Sequence, residues 1–302
     1  MFINHNQMAS NVANTLTSHY GNLQTSTQRL SSGLRVNSAA DDAAGLAIRE
    51  LMRSDIAALQ QGVRNANDAI SLLQTADGAL GVIDEKLVRM KELAEQAATG
   101  TYDSTQRLMI ESEYQAMASE ITRIANATDF NNIKLLNGNL SGDDHVGKGG
   151  GESGLESQGK LKVHFGSAND SAEDYYYIQI GTSTASALGV GSQATKFSDE
   201  SDARTVSTQE AAQKALVGIN NAIVSKDKIR AHLGALQNRL ENTITNLTTQ
   251  AENLQAAESR ISDVDVATEM TQFVRNQILT QSAVAMLSQA NSMPQMAMQL
   301  IG

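Results

Sequence analysis

Residues 229–261 read IRAHLGALQNRLENTITNLTTQAENLQAAESRI. Leucine or isoleucine recurs here at alternating steps of four and three residues, and three other residues fill the remaining places: Thr243, Gln250 and Ala257. This spacing keeps one apolar stripe on the side of a helix that faces a partner helix. The stretch therefore predicts a long packed helix. We expect Ser207 and Glu210 to cap its start.

Three further runs with the same spacing occupy the first half of the chain. The first comprises Leu16, Tyr20, Leu23, Thr27, Leu30 and Leu34, the second extends from Ile56 to Ala97, and the third extends from Ile110 to Ile124. Gly100 separates the last two, and Asp103 with Gln106 has the spacing of a capping box. These patterns predict a mainly α fold, built as a long antiparallel helical bundle or coiled-coil hairpin.

The middle of the chain lacks this periodicity. Twelve of the 22 glycines fall between Gly138 and Gly191. Two short stretches, residues 161–165 and 176–180, alternate apolar and other residues and are separated by the turn formers of residues 166–170. Alternation of this kind is typical of strands, so we expect a small β-hairpin region here.

The composition excludes several classes of protein. The chain has no cysteine, which excludes disulfide frameworks and Cys-bound metals. Its net charge of -10 opposes approach to nucleic acid, and we expect no nucleic-acid partner. No segment has the length and hydropathy of a membrane span or of a secretory signal, so we expect no membrane insertion and no cleaved signal peptide.

The sequence also contains no arrangement typical of a catalytic or metal site. The five histidines are scattered, without the spacing of metal ligands on a helix, and neither a nucleophile elbow nor a dinucleotide-binding fingerprint occurs. Asp41 and Asp42 are interpreted as acids at a helix start, where they favour the positive end of the helix dipole. We therefore expect no catalytic residue, no metal site and no cofactor, and no enzymatic activity.

The two ends of the chain are unusual because they carry no charged side chain. No Asp, Glu, Lys or Arg occurs before Arg29 or after Arg275. Apolar stripes without charge are typical of interaction surfaces, although two disordered tails are an alternative interpretation. We expect self-assembly through apolar residues of these ends: Leu16, Leu23, Leu30, Met270, Phe273, Ile278, Leu287 and Leu300.

Several ordered motifs identify a related family. Residues 30–48 read LSSGLRVNSAADDAAGLAI, residues 64–80 read RNANDAISLLQTADGAL, and residues 130–138 read FNNIKLLNG. Together with QANSMPQMAMQLIG at residues 289–302, these segments closely resemble bacterial flagellin in order and position. The resemblance covers roughly the first 140 and the last 95 residues, whereas the middle has no comparable match.

This resemblance implies a layered architecture without large outer domains. The five implied segments are an N-terminal inner-layer helix and spoke (1–40), two helices of the next layer (41–137), a variable glycine-rich hairpin region (138–207), a second-layer helix (208–262) and a C-terminal inner-layer helix (263–302). The connecting spoke corresponds to residues 31–41, where Gly33, Asn37 and Ser38 favour a helix interruption.

The resemblance further implies a function and a set of partners. A flagellin polymerises with itself into the extracellular filament for swimming, after export through the flagellar type III apparatus. Its implied partners are a dedicated export chaperone, here at residues 266–302, and the filament cap and hook-junction proteins. Toll-like receptor 5 recognises many flagellins as monomers, and the corresponding residues are Arg89, Leu93 and Glu113. Arg89 and Leu93 lie outside the predicted apolar stripe, so we expect them to share an exposed flanking face.

Three alternatives remain open at this point. The hook-filament junction protein is a homologue of similar length, and a non-flagellar helical adaptor would form a soluble oligomer of fixed size. Some flagellins carry a protease in the middle, but the 70 or so residues here contain no His-Glu-x-x-His motif.

Overall fold

The computed structural model describes residues 6–142, 159–166, 168, 170, 174–192 and 203–301. Within these ranges the chain forms six helices and four short strands. In chain order they are α1 (Gln7–Ser32), α2 (Ala43–Ala98), α3 (Ser104–Ala127), β1 (Asp129–Phe130), β2 (Ile133–Lys134), β3 (Leu161–His164), β4 (Tyr175–Ile178), α4 (Ala185–Leu188), α5 (Gln209–Ser262) and α6 (Val266–Ile301). The predicted mainly α fold with a small β-hairpin is confirmed.

The residues divide into two compact units. One unit contains residues 1–56 and 251–302, and the other contains residues 57–250. Both division points fall inside helices, α2 and α5, whereas the five segments predicted from the sequence end near helix ends. That five-segment division stays a prediction.

The core of the larger unit consists of apolar rows on α2, α3 and α5. Arg89 on α2 pairs with Glu113 on α3, and Asp84 on α2 pairs with Lys226 on α5. These pairs show that both helices pack beside α2. Large apolar members of the predicted rows are buried on all three helices: Leu73, Leu80, Ile83, Leu87, Met90, Ile110, Tyr114, Ile121, Leu233, Leu240 and Leu247. The rows are not buried throughout, because Met117 and Ile124 on α3 are only half-buried and Gln250 on α5 is exposed.

Two antiparallel strand pairs follow α3, the first directly after the helix and the second within the glycine-rich middle. Strands β1 and β2 pair through a tight turn in which Asn131 and Asn132 both have positive φ, a conformation that asparagine tolerates better than most residues. Strands β3 and β4 pair with Leu161 opposite Ile178 and His164 opposite Tyr175. The hairpin predicted from the alternating residues is therefore confirmed.

The β3–β4 hairpin packs closely against helices α2 and α5. A Cβ atom on Gly62 of α2 would lie 2.0 Å from the carbonyl oxygen of Phe165, so only glycine permits this approach. Asn65 Nδ2 donates to the His164 carbonyl oxygen at 2.8 Å. On the α5 side, the Arg239 guanidinium lies 3.6 Å from the centre of the Tyr176 ring, a cation–π contact.

The helix ends follow the sequence signals in most places. Helix α1 ends at Gly33, whose φ of 72° lies in the left-handed region, and the predicted interruption is confirmed. The Asp42 carboxylate accepts from the Gly45 backbone N–H at 2.8 Å at the start of α2. The Asp103 backbone N–H donates to Gln106 Oε1, as predicted for the start of α3.

The predicted cap of α5 is wrong by one residue. Thr208, not Ser207, precedes the helix, and its Oγ1 accepts from the Ala211 backbone N–H at 3.2 Å. The Ser207 side chain instead accepts from the Thr205 hydroxyl at 3.0 Å. Two adjacent hydroxyl residues offer the same capping chemistry, and the loop before the helix determines which one is used.

Candidate assembly surface

Helices α1 and α6 pack against each other in antiparallel orientation. Near one end of the pair, Asn6 Nδ2 donates to the Ala290 carbonyl oxygen at 2.8 Å. Near the other end, Arg29 Nη1 lies 3.8 Å from Glu269 Oε2. The least exposed positions alternate by four and three residues on both helices, which is the spacing of a coiled-coil seam.

The seam between these helices is unusually polar. Its α1 positions are Val12, Leu16, His19, Leu23, Ser26 and Leu30, and its α6 positions are Glu269, Phe273, Asn276, Thr280, Ala283, Leu287 and Ala290. The Thr280 hydroxyl donates to the Asn276 carbonyl oxygen at 2.7 Å, which satisfies that buried group. Within the described ranges, His19 Nδ1 and Glu269 Oε1 are buried without a hydrogen-bond partner. The seam therefore gains less apolar burial than an all-leucine coiled coil.

The seam corrects the row predicted for α1. Tyr20 was expected on the inner stripe, but its side chain is 53% exposed. His19 and Ser26 occupy the inner positions instead, each three residues after a leucine. From Leu16 the pattern can advance by three or by four residues, and the partner helix α6 selects the three-residue step.

The outer side of α6 carries large apolar side chains. Ile278 is 56% exposed, and the other large apolar side chains that are exposed on the described part of this helix are Val266, Met270, Val274, Leu279, Val284, Met286 and Met296. The last charged side chain of the helix is Arg275. We call this set of exposed residues the α6 outer face. Large apolar side chains exposed on the side away from the seam are typical of a surface that other molecules cover, so this face is a candidate surface for contact with them.

The predicted assembly residues fall into two groups. Leu16, Leu23, Leu30, Phe273 and Leu287 are half-buried in the seam between the chain's own helices. Met270 and Ile278 lie on the α6 outer face. Leu300 lies within α6, and its side chain is outside the described set.

Sequence reasoning missed several members of the α6 outer face. Val274, Leu279, Val284 and Met286 are exposed there, but a search for one stripe does not find them. The signal that could have found them is the apolar content of residues 273–287, which exceeds what a single seam requires.

The receptor candidates lie on α2 and α3 in the larger unit. Arg89 Nη2 and Nε donate to Glu113 Oε1 at 2.8 and 2.9 Å, and Arg89 Nη1 donates to Glu92 Oε2 at 2.9 Å. These bonds, with Glu113 as the main contributor, raise the pKa of the Arg89 guanidinium. The Arg89 and Glu113 side chains are both about half exposed, so this ion pair forms an accessible polar patch.

Leu93 does not belong to that patch. Its side chain is 1% exposed, so the expectation that it shares an exposed flanking face with Arg89 is wrong. Because α3 and α5 both pack beside α2, the buried face of α2 is wider than one stripe and includes both Leu93 and Ala94.

The described part of the chain offers no obvious place for a metal ion. Across the described ranges, no three His, Asp or Glu side chains form a cluster that could hold one. None of the helices in those ranges combines the length and hydropathy needed to cross a membrane.

Comparison with family models gives two matches along the chain. Residues 3–141 match the bacterial flagellin N-terminal helical region, and residues 216–301 match the bacterial flagellin C-terminal helical region. The two matches together include α1, α2, α3 and α6 and most of α5.

Curated proteins are similar over the whole length. The chain is 40% identical to flagellin FlaB2 of Treponema pallidum (strain Nichols) over 301 residues, covering all of both chains. It is 42% identical to a flagellin of Bacillus subtilis (strain 168) over 314 aligned positions, again covering all of both chains. Among solved structures, Bacillus cereus flagellin matches with a TM-score of 0.46 and 27% identity, covering 65% of this chain and 94% of that chain.

Proposed function

The chain belongs to the bacterial flagellin family, and on this premise we propose that it is the structural subunit of a flagellar filament for swimming. The single observation that supports this proposal most strongly is the apolar, charge-poor outer face of α6. When such a face is buried against other copies, each Å² of apolar surface removed from water contributes roughly 25 cal/mol of favourable free energy.

Polymerisation into an open tube sets a geometric requirement on this surface. Contacts between unlike faces are needed, because contacts between identical faces close into small symmetric oligomers. The part of the α6 outer face that follows Arg275 has no self-complementary charge pattern, since residues 276–302 carry no charged side chain. The absence of charge also permits many copies to pack closely without accumulated repulsion.

A substitution on the α6 outer face tests this proposal. Ile278→Asp places a charge at a 56% exposed position, where it leaves the isolated chain folded but would be buried in a polymer. We expect seeded elongation of this variant to fall at least tenfold, measured by sedimentation after adding short filament fragments. The matched control is Ile278→Leu, which should elongate like the parent chain. Equal elongation of the Asp variant and the parent would refute the role of this face.

Export and its partners follow from the same assignment. The subunit leaves the cell through the flagellar type III apparatus without a cleaved signal peptide, and it meets the hook-junction and cap proteins during assembly. An export chaperone covers residues 266–302, and the exposed apolar side chains of α6 support this because they need cover before assembly. Deleting residues 266–302 should abolish binding of the purified chaperone in isothermal titration calorimetry.

Recognition by Toll-like receptor 5 as a monomer is a further part of the proposal. The exposed pair Arg89 and Glu113 supports it. Leu93 is buried, so we assign it an indirect role in which it supports the helix that carries Arg89. Arg89→Ala should lower receptor signalling in reporter cells at least tenfold. The matched control is Arg123→Ala, because Arg123 is an exposed arginine on α3 that pairs with Glu120. Equal signalling by both variants would refute the role of Arg89.

A further inference from the structure

Lys226 occupies a core position of α5. The least exposed positions of this helix alternate by three and four residues, and those around the lysine are Ala215, Ile219, Ala222, Ile229 and Leu233. Lys226 is 1% exposed, which makes it the most deeply buried charged residue in the part of the chain that the structure describes. A lysine at such a position replaces apolar burial with a group that requires a carboxylate partner.

Two ion pairs cross from α5 to α2 at this point. Lys226 Nζ lies 2.6 Å from Asp84 Oδ1, and it also lies 2.8 Å from Oδ1 of the neighbouring Asp227. Further along α5, Arg230 Nε and Nη2 donate to the two Asp77 carboxylate oxygens at 2.7 and 3.2 Å. This second pair is about 40% exposed, so solvent screens it and it contributes little to stability.

The apolar rows of α2 and α5 do not by themselves define one alignment. Leu73, Leu80 and Leu87 recur every seven residues on α2, and Leu233, Leu240 and Leu247 recur every seven residues on α5. Sliding one helix past the other by one heptad, about 10 Å, would again place apolar residues of one row opposite apolar residues of the other. The charged residues of the seam distinguish these alternatives.

A slide in either direction breaks the charge pattern. In one direction Lys226 would meet Lys91, which stands seven residues after Asp84 on α2. In the other direction Lys226 would meet Asp77, but Arg230 would then meet Ile70, which stands seven residues before Asp77. The observed alignment is the one of the three in which both cations have a carboxylate partner on α2.

We infer that Lys226, through its pair with Asp84, sets the register in which α2 and α5 pack. The buried ammonium determines how α2 and α5 are aligned and adds little to the free energy of unfolding, since a buried ion pair often stabilises no more than an apolar pair of the same volume. The inference is independent of filament formation. It matters for assembly because exposed apolar residues lie on both helices, including Val88 on α2 and Val224 on α5, and a slide would separate them.

The absence of cysteine permits a direct measurement of register. Cysteines introduced at Val82 and Val217, both exposed, carry spin labels, and double electron–electron resonance gives the distance between them after refolding from denaturant. In the Lys226→Met/Asp84→Leu variant we expect a second distance population displaced by about 10 Å, with an unfolding midpoint no lower than that of the parent.

Two matched controls make the result specific. Arg230→Met/Asp77→Leu removes the exposed pair and keeps Lys226, so it should show the parental distance alone. Lys228→Met changes an exposed lysine on the same helix and should also show the parental distance. A single parental distance in the Lys226→Met/Asp84→Leu variant would overturn the inference. A displaced population in the Lys228 control would overturn it as well.

Discussion

The Arg29 guanidinium lies 3.8 Å from the Glu269 carboxylate and joins the last turn of α1 to the first turn of α6. The two charges also suit the helix ends on which they lie, because a cation is favoured near a helix C-terminus and an anion near an N-terminus. Glu269 is buried, and its Oε1 has no hydrogen-bond partner in the described ranges. The pair therefore holds one end of the polar seam.

Removing Arg29 should weaken the pairing of α1 and α6. Arg29→Ala leaves a buried carboxylate without its cation, which costs about 1–3 kcal/mol. Amide hydrogen exchange in residues 269–283 should accelerate accordingly. The matched control is Arg275→Ala, an exposed arginine on α6, which should leave exchange unchanged. Equal protection in both variants would contradict a stabilising role for the pair.

A charge placed in the seam should abolish assembly without unfolding the larger unit. Leu23→Asp introduces a carboxylate at a half-buried seam position, where its desolvation opposes the pairing of α1 with α6. Seeded filament growth should stop, while circular dichroism retains most of the helical signal. Gln24→Asp, at an exposed position beside it, should still assemble. Normal filaments from the Leu23 variant would argue against packing of the terminal helices.

The docking of the β3–β4 hairpin depends on one glycine. Gly62→Ala forces a methyl group against the Phe165 carbonyl, so we expect a loss of about 1–3 kcal/mol in the free energy of unfolding. Gly78→Ala is the matched control, because no atom lies within 4 Å of its Cβ position. That variant should gain about 0.5–1 kcal/mol from helix propensity. Chemical denaturation of both variants measures these two changes in the free energy of unfolding, which should have opposite signs.

The Asp265 carboxylate, which caps the start of α6, should make the stability of the protein depend on pH in acid. Hydrogen bonds from the Thr268 hydroxyl and from backbone N–H groups lower the pKa of Asp265 below its ordinary value of 3.8. A depressed folded pKa means that the stabilisation is complete above 3.8 and is lost as the pH falls through the lower folded value. Denaturation measured from neutral pH down to acid should therefore show a shallower acid loss in Asp265→Asn than in the parent. An identical acid slope would contradict the capping role.

The sequence predicts the leucine-rich half of α5 and the long row on α2 because large apolar residues mark those positions unambiguously. It does not predict the first half of the α5 row, where Ala212, Ala215 and Lys226 are buried. Alanine occurs on either face of a helix, and a lysine indicates exposure unless its partner, Asp84, is known. The information that resolves both cases lies on the neighbouring helix.

The residues of the α6 outer face also could not be assigned without knowledge of the neighbouring helix. The charge-free ends are visible in the sequence and indicate an interaction surface, but they do not distinguish seam residues from outer-face residues. Phe273 and Ile278 differ by five positions and lie on different sides of α6, and only the position of α1 separates their roles. The prediction for Leu93 is wrong for a related reason, since the buried face of α2 is wider than the one stripe that the sequence marks.

Growth of the purified parent chain on short filament fragments, followed by sedimentation and negative-stain microscopy, tests filament formation most directly. We expect long tubes whose pelleted mass increases with added monomer, because the α6 outer face forms contacts that do not close. A discrete oligomer that never elongates would refute filament formation and would favour a junction protein or a helical adaptor.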